Sequence, residues 1–449
     1  MYVDGKMLIG MGEEAVFLLP EMSNRHGLIA GATGTGKTTT LKVMAESFSD
    51  MGIPVFLSDI KGDLASLAIE GKNSAKITER LEKLKLQDFN YKSFPVQFWD
   101  IYGENGIPVR TSISSMGPIM LARILGLNDV QSSVLNIIFR IADDCGLLLL
   151  DLKDLKSMVQ YVGENARKFT LEYGNISAQT IGAIVRSLIS LEDQGGNYFF
   201  GEPELVLSDW LKRSEDGKGY INILDSRKLF LNPPLYSTFL LWMISELYET
   251  MPEVGDTDMP KMIFFFDEAH LLFKETPKIL LQKIEQVVRL IRSKGVGIYF
   301  ITQSPMDLPR DVLNQLGNRV LHALRAYTPA ELKTVQGAAD SFRQNPNFDT
   351  ATAITELETG EALVSFLDQK GSPGIVQRTT IIPPQSAFGY LDADARGRLI
   401  SVSPLKKKYH EPIDRESAYE ILTARVAKQE ADIIEEDKRK EKLRQWEEK

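Results

Sequence analysis

The amino-acid sequence predicts an α/β protein: a mostly parallel sheet flanked by helices, interrupted by a helical insertion and followed by a C-terminal helix. Three observations carry that expectation. A short apolar strand, Leu28 to Ala30, runs through a glycine-rich turn into a helix over Leu41 to Phe48. The runs IPVFL at 53–57, KMIFFFDE at 261–268 and GIYFITQ at 297–303 are apolar almost throughout, as strands covered by helices on both faces must be. Between 120 and 191 the spacing turns helical, with Val134, Ile138 and Ile141, then Leu152, Leu155 and Val159, recurring every three or four residues.

Composition narrows the function classes. The chain of 449 residues is long enough for two or three domains and a large core, and its 43% hydrophobic and 25% charged residues are those of a soluble globular protein. A formal charge of −9 gives no general attraction to nucleic acid or anionic membrane, although it leaves room for a local basic lining. The single cysteine, Cys145, cannot form an intramolecular disulfide, and with four scattered histidines it makes no metal-ligand set. The first residues lack a signal-peptide core, and no run approaches the ~20 apolar residues of a bilayer span. A cytoplasmic protein without membrane insertion is expected.

The turn after the first core strand carries the chemistry. Gly31, Gly36, Lys37 and Thr38 stand at the spacing of a phosphate-binding loop, within the stretch Gly31, Ala32, Thr33, Gly34, Thr35, Gly36, Lys37, Thr38 and Thr39. A polyphosphate has to be approached closely by consecutive backbone N–H groups, and glycine lets the chain curl around it. Lys37 then reaches the β and γ phosphates, Thr38 offers a hydroxyl to Mg²⁺, and the following helix adds its positive end.

Taken in order, residues 1–25 hold two short strand candidates, too little for a domain. The core follows in two pieces, 26–103 and 216–385, around a helical insertion at 104–215 that reads equally as a lid or a partner surface. The strand at 53–57 ends in a polar turn where Asp59 and Lys61 are candidate site residues, although Asp59 reads equally as a cap for the helix after it. Residues 72–85 read as a charged helix with a solvated face. Further strands are expected at 95–101, 220–225 and 319–324, and a hairpin at 361–367 and 375–382. Thr328, Pro329 and Glu331 have the order of a helix N-terminus. Residues 386–449 form a linker and a charged final helix over 414–448, with a solvated or frayed end favoured over a coiled coil.

A second motif matches the first. Four large apolar residues, Ile263 to Phe266, lead into Asp267 and Glu268 at the carboxyl end of a strand, where ligands of open α/β sheets bind. Asp267 suits Mg²⁺ held through water, and Glu268 suits polarisation of an attacking water. Asp267 to His270 also spells a helicase box, but the glycine-arginine motif of a second motor domain is missing, as are the guanine-reading Asn-Lys-x-Asp and the LSGGQ signature of transporters. Gln303 ends the neighbouring strand as a neutral group able to sense the γ phosphate. Arg292, before that strand, and Arg325, just after the strand at 319–324, are candidates for an arginine finger acting on a neighbouring subunit, against the plainer reading of surface ion pairs.

In their order, HGLIAGATGTGKT, SDIKGDL, FFFDEAH, RSKGVGIYFITQSP and LRAYTPAE resemble the HerA/FtsK-type P-loop ATPases, closest to the bacterial YjgR-like branch, over about residues 12–385. The resemblance implies a RecA-like core, hydrolysis of ATP with Mg²⁺, a hexameric ring, and in several relatives translocation of duplex DNA. By motif position it implies Lys37 and Thr38 as phosphate and Mg²⁺ ligands, Asp267 and Glu268 as the acidic pair, Gln303 as sensor and Arg292 as finger. It does not carry over HerA's nuclease partner, since some 25 residues stand where HerA has a β-barrel. The expected function is a ring-forming ATPase that moves duplex DNA. The alternative is an ATP-driven switch or assembly module acting on a protein partner.

Overall fold

The apolar runs pair into one sheet. In the computed structural model, which describes residues 1–255, 257–274 and 278–447, its strands are β1 (Tyr2–Val3), β2 (Lys6–Met11), β3 (Ala15–Leu18), β4 (Gly27–Ala30), β5 (Val55–Asp59), β6 (Val96–Asp100), β7 (Ile107–Pro108), β8 (Ile221–Asp225), β9 (Met262–Phe266), β10 (Val296–Thr302), β11 (Asn318–His322), β12 (Glu361–Ser365) and β13 (Gln377–Ile381). The spatial order is β1-β2-β13-β12-β11-β4-β10-β9-β5-β8-β6-β7, with β3 paired to β2. Pairing is parallel without a break from β11 through β4, β10, β9, β5 and β8 to β6. Beyond β11 it turns antiparallel through β12, β13 and β2, so the first residues of the chain extend this edge, with Met11 opposite Thr380.

Burial explains why the central strands read as unbroken apolar runs. All five residues of β9 are 0% exposed. Their side chains alternate between two covered faces. On one, Phe265 meets Tyr299 at 5.2 Å and Phe48 of the helix Lys37–Asp50 at 6.3 Å between ring centroids. On the other, Phe264 meets Phe56 at 5.2 Å, and Phe56 stacks on Trp210 at 4.9 Å. Each such ring contributes about 1.5–3 kcal/mol relative to exposure. Thr328 caps the helix Pro329–Asp340 in a capping box with Glu331, as its sequence order implies.

The chain divides into two compact units, 1–107 with 206–406, and 108–205 with 407–449. These limits differ from an insertion over 104–215 and a separate tail. Residues 206–211 go with the sheet because Trp210 is fully buried against Phe56 and Trp99, and its carbonyl accepts from Asn222 Nδ2 at 3.2 Å. Residues from 407 onward go with the helices because the buried Asp154 carboxylate accepts from Ser417 Oγ at 2.6 Å and from the Tyr419 amide at 2.8 Å, while Arg415 pairs with Glu202. The last helix, Ala418–Glu447, is therefore anchored at its start, where Ala418 and Leu422 are buried, and exposed at Val426, Ile433 and Ile434. Glu448, its expected end, lies outside the described residues.

Candidate functional site

Strand register brings the two motifs to one edge. Leu28 of β4 lies level with Phe300 of β10, and Phe300 with Phe266 of β9, so the loop after Ala30 and the acidic pair after Phe266 leave the sheet on the same side. One strand intervenes, which puts the two strands about 10 Å apart. The charges of Asp267 and Glu268 act on Lys37, whose pKa is nonetheless lowered, first by burial and then by Lys61.

The loop is shaped from beneath by a residue that sequence reasoning passed over. His322, buried at the end of β11, places Nδ1 2.9 Å from the Glu361 carbonyl oxygen and Nε2 2.8 Å from Thr40 Oγ1. A carbonyl only accepts, so Nδ1 carries the proton and Nε2 accepts from Thr40. Burial lowers His322 to about 4, which keeps the ring neutral. A Cβ on Gly31, at φ 150°, would stand 2.6 Å from His322 Cβ, and one on Gly36, at φ 122°, would meet His322 Cε1 at 3.1 Å and Gly360 Cα at 3.2 Å. Glycine at these two positions lets the loop close over the histidine. The only signal for His322 is a lone histidine in an apolar strand, and a merely packed histidine gives the same one.

The remaining loop residues fill distinct places. Thr35 turns inward, its hydroxyl donating to the Ala32 carbonyl at 2.7 Å, and the Ala32 amide donates to the Ala323 carbonyl at 2.9 Å. Thr33 and Gly34 are exposed at the tip, and Thr38 and Thr39 are half-buried in the first helical turn. Lys37 folds back so that Nζ donates to the Gly31 and Ala32 carbonyls at 2.5 and 3.0 Å. Its helix starts at Gly36 with no side-chain cap and no acidic residue in the first turn, so its positive end is uncompensated. Beside Gly36 and Thr39 opens a cavity of about 600 Å³ walled by Ile77, Arg80, Ile381 and Phe388.

Across the edge, Asp267 is half-buried, and loss of solvent around its carboxyl together with the neighbouring Glu268 raises it to about 6, against the lowering pull of Lys61 and Lys37. Its Oδ1 accepts from the Glu268 amide at 2.9 Å. Glu268 holds φ 49°, a left-handed conformation costly for a residue with a side chain. Its Oε2 is buried without a hydrogen bond, 3.3 Å from His270 Nδ1. Gln303 is exposed at the end of β10, on a cleft of about 580 Å³ shared with His270, Lys274 and Asp307. Asp59 is a buried cap, accepting from the Gly62 and Ala65 amides, whereas Lys61 acts electrostatically on both Lys37 and Asp267.

The two arginines separate. Arg325 is exposed at the site edge, donating to the Thr355 carbonyl at 3.3 Å. Arg292 precedes β10 at the opposite edge, roughly 20 Å from this chain's own loop by the rise of seven strand residues. It stands near His26, which burial, and after it the Arg292 charge, lowers to about 4.

The donor set suits a metal brought with phosphates. Among the described residues no group of three or more His, Cys, Asp or Glu could hold an ion. Instead one hydroxyl, Thr38, lies in the first turn of the uncapped helix, and the half-buried Asp267 carboxylate and the Glu268 carboxylate, whose Oε2 lacks a hydrogen bond, act on the neighbouring Lys37, a donor set that suits Mg²⁺ completed by substrate oxygens.

A strand-loop-helix cradle level with an acidic strand end, one parallel strand apart, is the layout of a RecA-like P-loop ATPase of the HerA/FtsK type. Residues 6–449 match the family described as Helicase HerA-like C-terminal, and the chain belongs to it. Curated relatives include the DNA double-strand break repair helicases HerA of Saccharolobus solfataricus, 23% identical over 76% of this chain and 61% of that protein, and of Sulfolobus acidocaldarius, 29% identical over 80% and 65%. The chain thus spans somewhat over three-fifths of the length of these relatives. Among solved structures, the bacterial conjugative coupling protein TrwB superposes with a TM-score of 0.55 at 15% identity over 88% of this chain and 92% of that one. VirB4 of Thermoanaerobacter pseudethanolicus gives 0.55 at 14% over 85% and 97%. These structures share the fold. No helix among the described residues is long and apolar enough to cross a membrane.

Proposed function

We propose that the protein is an Mg²⁺-dependent ATP hydrolase that works in the cytoplasm as a ring, hexameric by analogy with the family, and moves duplex DNA. The observation that carries the hydrolase reading is the common edge of the phosphate loop and the acidic pair, with a buried carboxylate oxygen on Glu268 that accepts no hydrogen bond among the described residues. Lys37 exchanges the Gly31 and Ala32 carbonyls for β and γ phosphate oxygens. Backbone groups of Gly31 to Thr39 cradle the triphosphate, and the cavity beside Gly36 and Thr39 has room for the base and ribose. Thr38 and Asp267 are the residues that would hold Mg²⁺, which when bound neutralises phosphate charge. Glu268 Oε2 takes the proton of the attacking water, and Gln303 orients that water toward the γ phosphate. Arg292, remote from its own loop, is suited to serve a neighbouring subunit in trans. The DNA reading rests on the HerA relatives being DNA double-strand break repair helicases, and the ring reading on resemblance to the family alone; no nuclease partner is proposed.

A second reading keeps the ATP site and replaces the polymer with a protein partner. It is favoured by the net charge of −9 and by the exposed Val426, Ile433 and Ile434 on the last helix. The ATPase rate of the purified protein with and without duplex DNA across a salt series separates the two. Salt-sensitive stimulation supports a DNA motor, and DNA-independent turnover supports the switch. Turnover retained by Lys37→Ala would remove the assigned site altogether.

A further inference from the structure

We propose that Tyr236 is a positioning residue for hydrolysis: its buried hydroxyl ties down the Asp267–Glu268 peptide and thereby aims the Glu268 carboxylate. The inference rests on the role given to Glu268 above. Tyr236 is 0% exposed in the helix Pro233–Thr250, and its hydroxyl lies 3.0 Å from the Asp267 carbonyl oxygen and 2.8 Å from Ser58 Oγ. Ser58 Oγ lies 2.9 Å from Ser226 Oγ.

The directions of these bonds follow from the acceptor at the end. A carbonyl only accepts, so Tyr236 spends its one proton on Asp267 and Ser58 donates to Tyr236. Ser226, whose hydroxyl also lies 3.3 Å from the Leu224 carbonyl oxygen, donates over the shorter 2.9 Å to Ser58. The result is a one-way relay from the end of β8 through the end of β5 to the end of β9, across three neighbouring strands. Such chains strengthen by mutual polarisation in a buried setting. Burial first, with the Asp267 and Glu268 charges adding to it, raises the Tyr236 hydroxyl far above the ordinary phenol range, so it stays a donor.

What the relay holds is a strained joint. Glu268 sits at φ 49°, and the peptide before it is fixed at both ends: its N–H donates to Asp267 Oδ1 and its carbonyl accepts from Tyr236. The first of these ties uses the carboxylate that Mg²⁺ would claim. When Asp267 is engaged there, the Tyr236 hydroxyl is the tie that remains of these two. A peptide released at that moment can rotate, carry Glu268 out of its left-handed conformation, and take the base away from the water.

The test compares Tyr236→Phe and Ser58→Ala with wild type in three measurements: steady-state ATP hydrolysis, ATP–Mg²⁺ affinity, and amide hydrogen exchange over 262–272 in the ligand-free protein. Loss of one hydrogen bond of this kind predicts a kcat for Tyr236→Phe roughly tenfold lower. Affinity should stay within about twofold, and exchange at Glu268 should be faster. Ser58→Ala leaves Tyr236 able to donate and should cost only about two- to threefold. In a Glu268→Gln background, Tyr236→Phe should slow the residual rate no further. Unchanged kcat and exchange in Tyr236→Phe, affinity falling in step with kcat, or a full effect in the Glu268→Gln background would each overturn the assignment. A wild-type protein that binds ATP without hydrolysing it would overturn the proposed function instead, while the exchange measurement would still decide whether Tyr236 ties the peptide.

Discussion

Gly31→Ala tests whether the loop is shaped by the histidine beneath it. The added Cβ would stand 2.6 Å from His322 Cβ, well inside carbon–carbon contact, and His322 cannot yield because its ring is held by Thr40 on one side and the Glu361 carbonyl on the other. Overpacking of this kind costs roughly 1–3 kcal/mol. The backbone adds a second cost, since φ 150° is foreign to an L side chain, at about 1–2 kcal/mol. Gly34→Ala is the control, because it has a positive φ of 78° but nothing within 4 Å of its Cβ. Gly31→Ala should therefore lose about 2–5 kcal/mol of unfolding free energy in urea, against about 1–2 for Gly34→Ala. It should also weaken binding of a fluorescent ATP analogue at least tenfold more than the control does. Equal losses from the two variants would refute the close-approach argument and leave backbone strain alone.

Glu268→Gln should bind ATP yet hydrolyse it at least on the order of a thousandfold more slowly, as measured by single-turnover phosphate release; a normal rate would move the base elsewhere. Arg292→Ala mixed with wild type should depress ATPase activity below simple dilution if the residue acts in trans, whereas activity proportional to the wild-type fraction would point to a role within its own chain. Asp267→Asn should stabilise the ligand-free protein in a pH-dependent way. The carboxyl titrates at about 6 in the folded chain against an ordinary 3.8, so the folded state binds the proton more tightly and its ionisation costs stability that grows from pH 4 through 6. The variant should accordingly gain on the order of 2–3 kcal/mol at pH 8 and little at pH 4 in chemical denaturation. A gain that does not vary with pH would contradict the assignment of the shift to this carboxyl.

The core strands were readable because burial on both faces forces them to be continuously apolar, and the Thr328 capping box because its partners are three residues apart. What escaped reading depends on residues distant in the chain. His322 works through Thr40, 282 positions away, and Tyr236 lies in the run PPLYSTFLLWMISELY, where an aromatic residue announces only an apolar helix. The place of Asp59 is decided by two amides just after it, so the pattern that marks a strand-end carboxylate equally marks a cap. Arg292 shows a different limit. Neighbourhood in sequence to a site strand does not say at which end of that strand a residue stands, and it stands at the far one.

The helical unit is closed by its own tail, and this sets an order of events during synthesis. Asp154 is made 263 residues before Ser417; one oxygen of its buried carboxylate is held locally by the Leu150 and Asp151 amides, but the other is satisfied by Ser417 and Tyr419. Until those residues leave the ribosome, the nascent helices carry a carboxyl oxygen whose partners have not yet been made. The helical unit, begun at residue 108, is therefore finished only with residues from 407 onward, after the sheet around the phosphate loop already has all its strands.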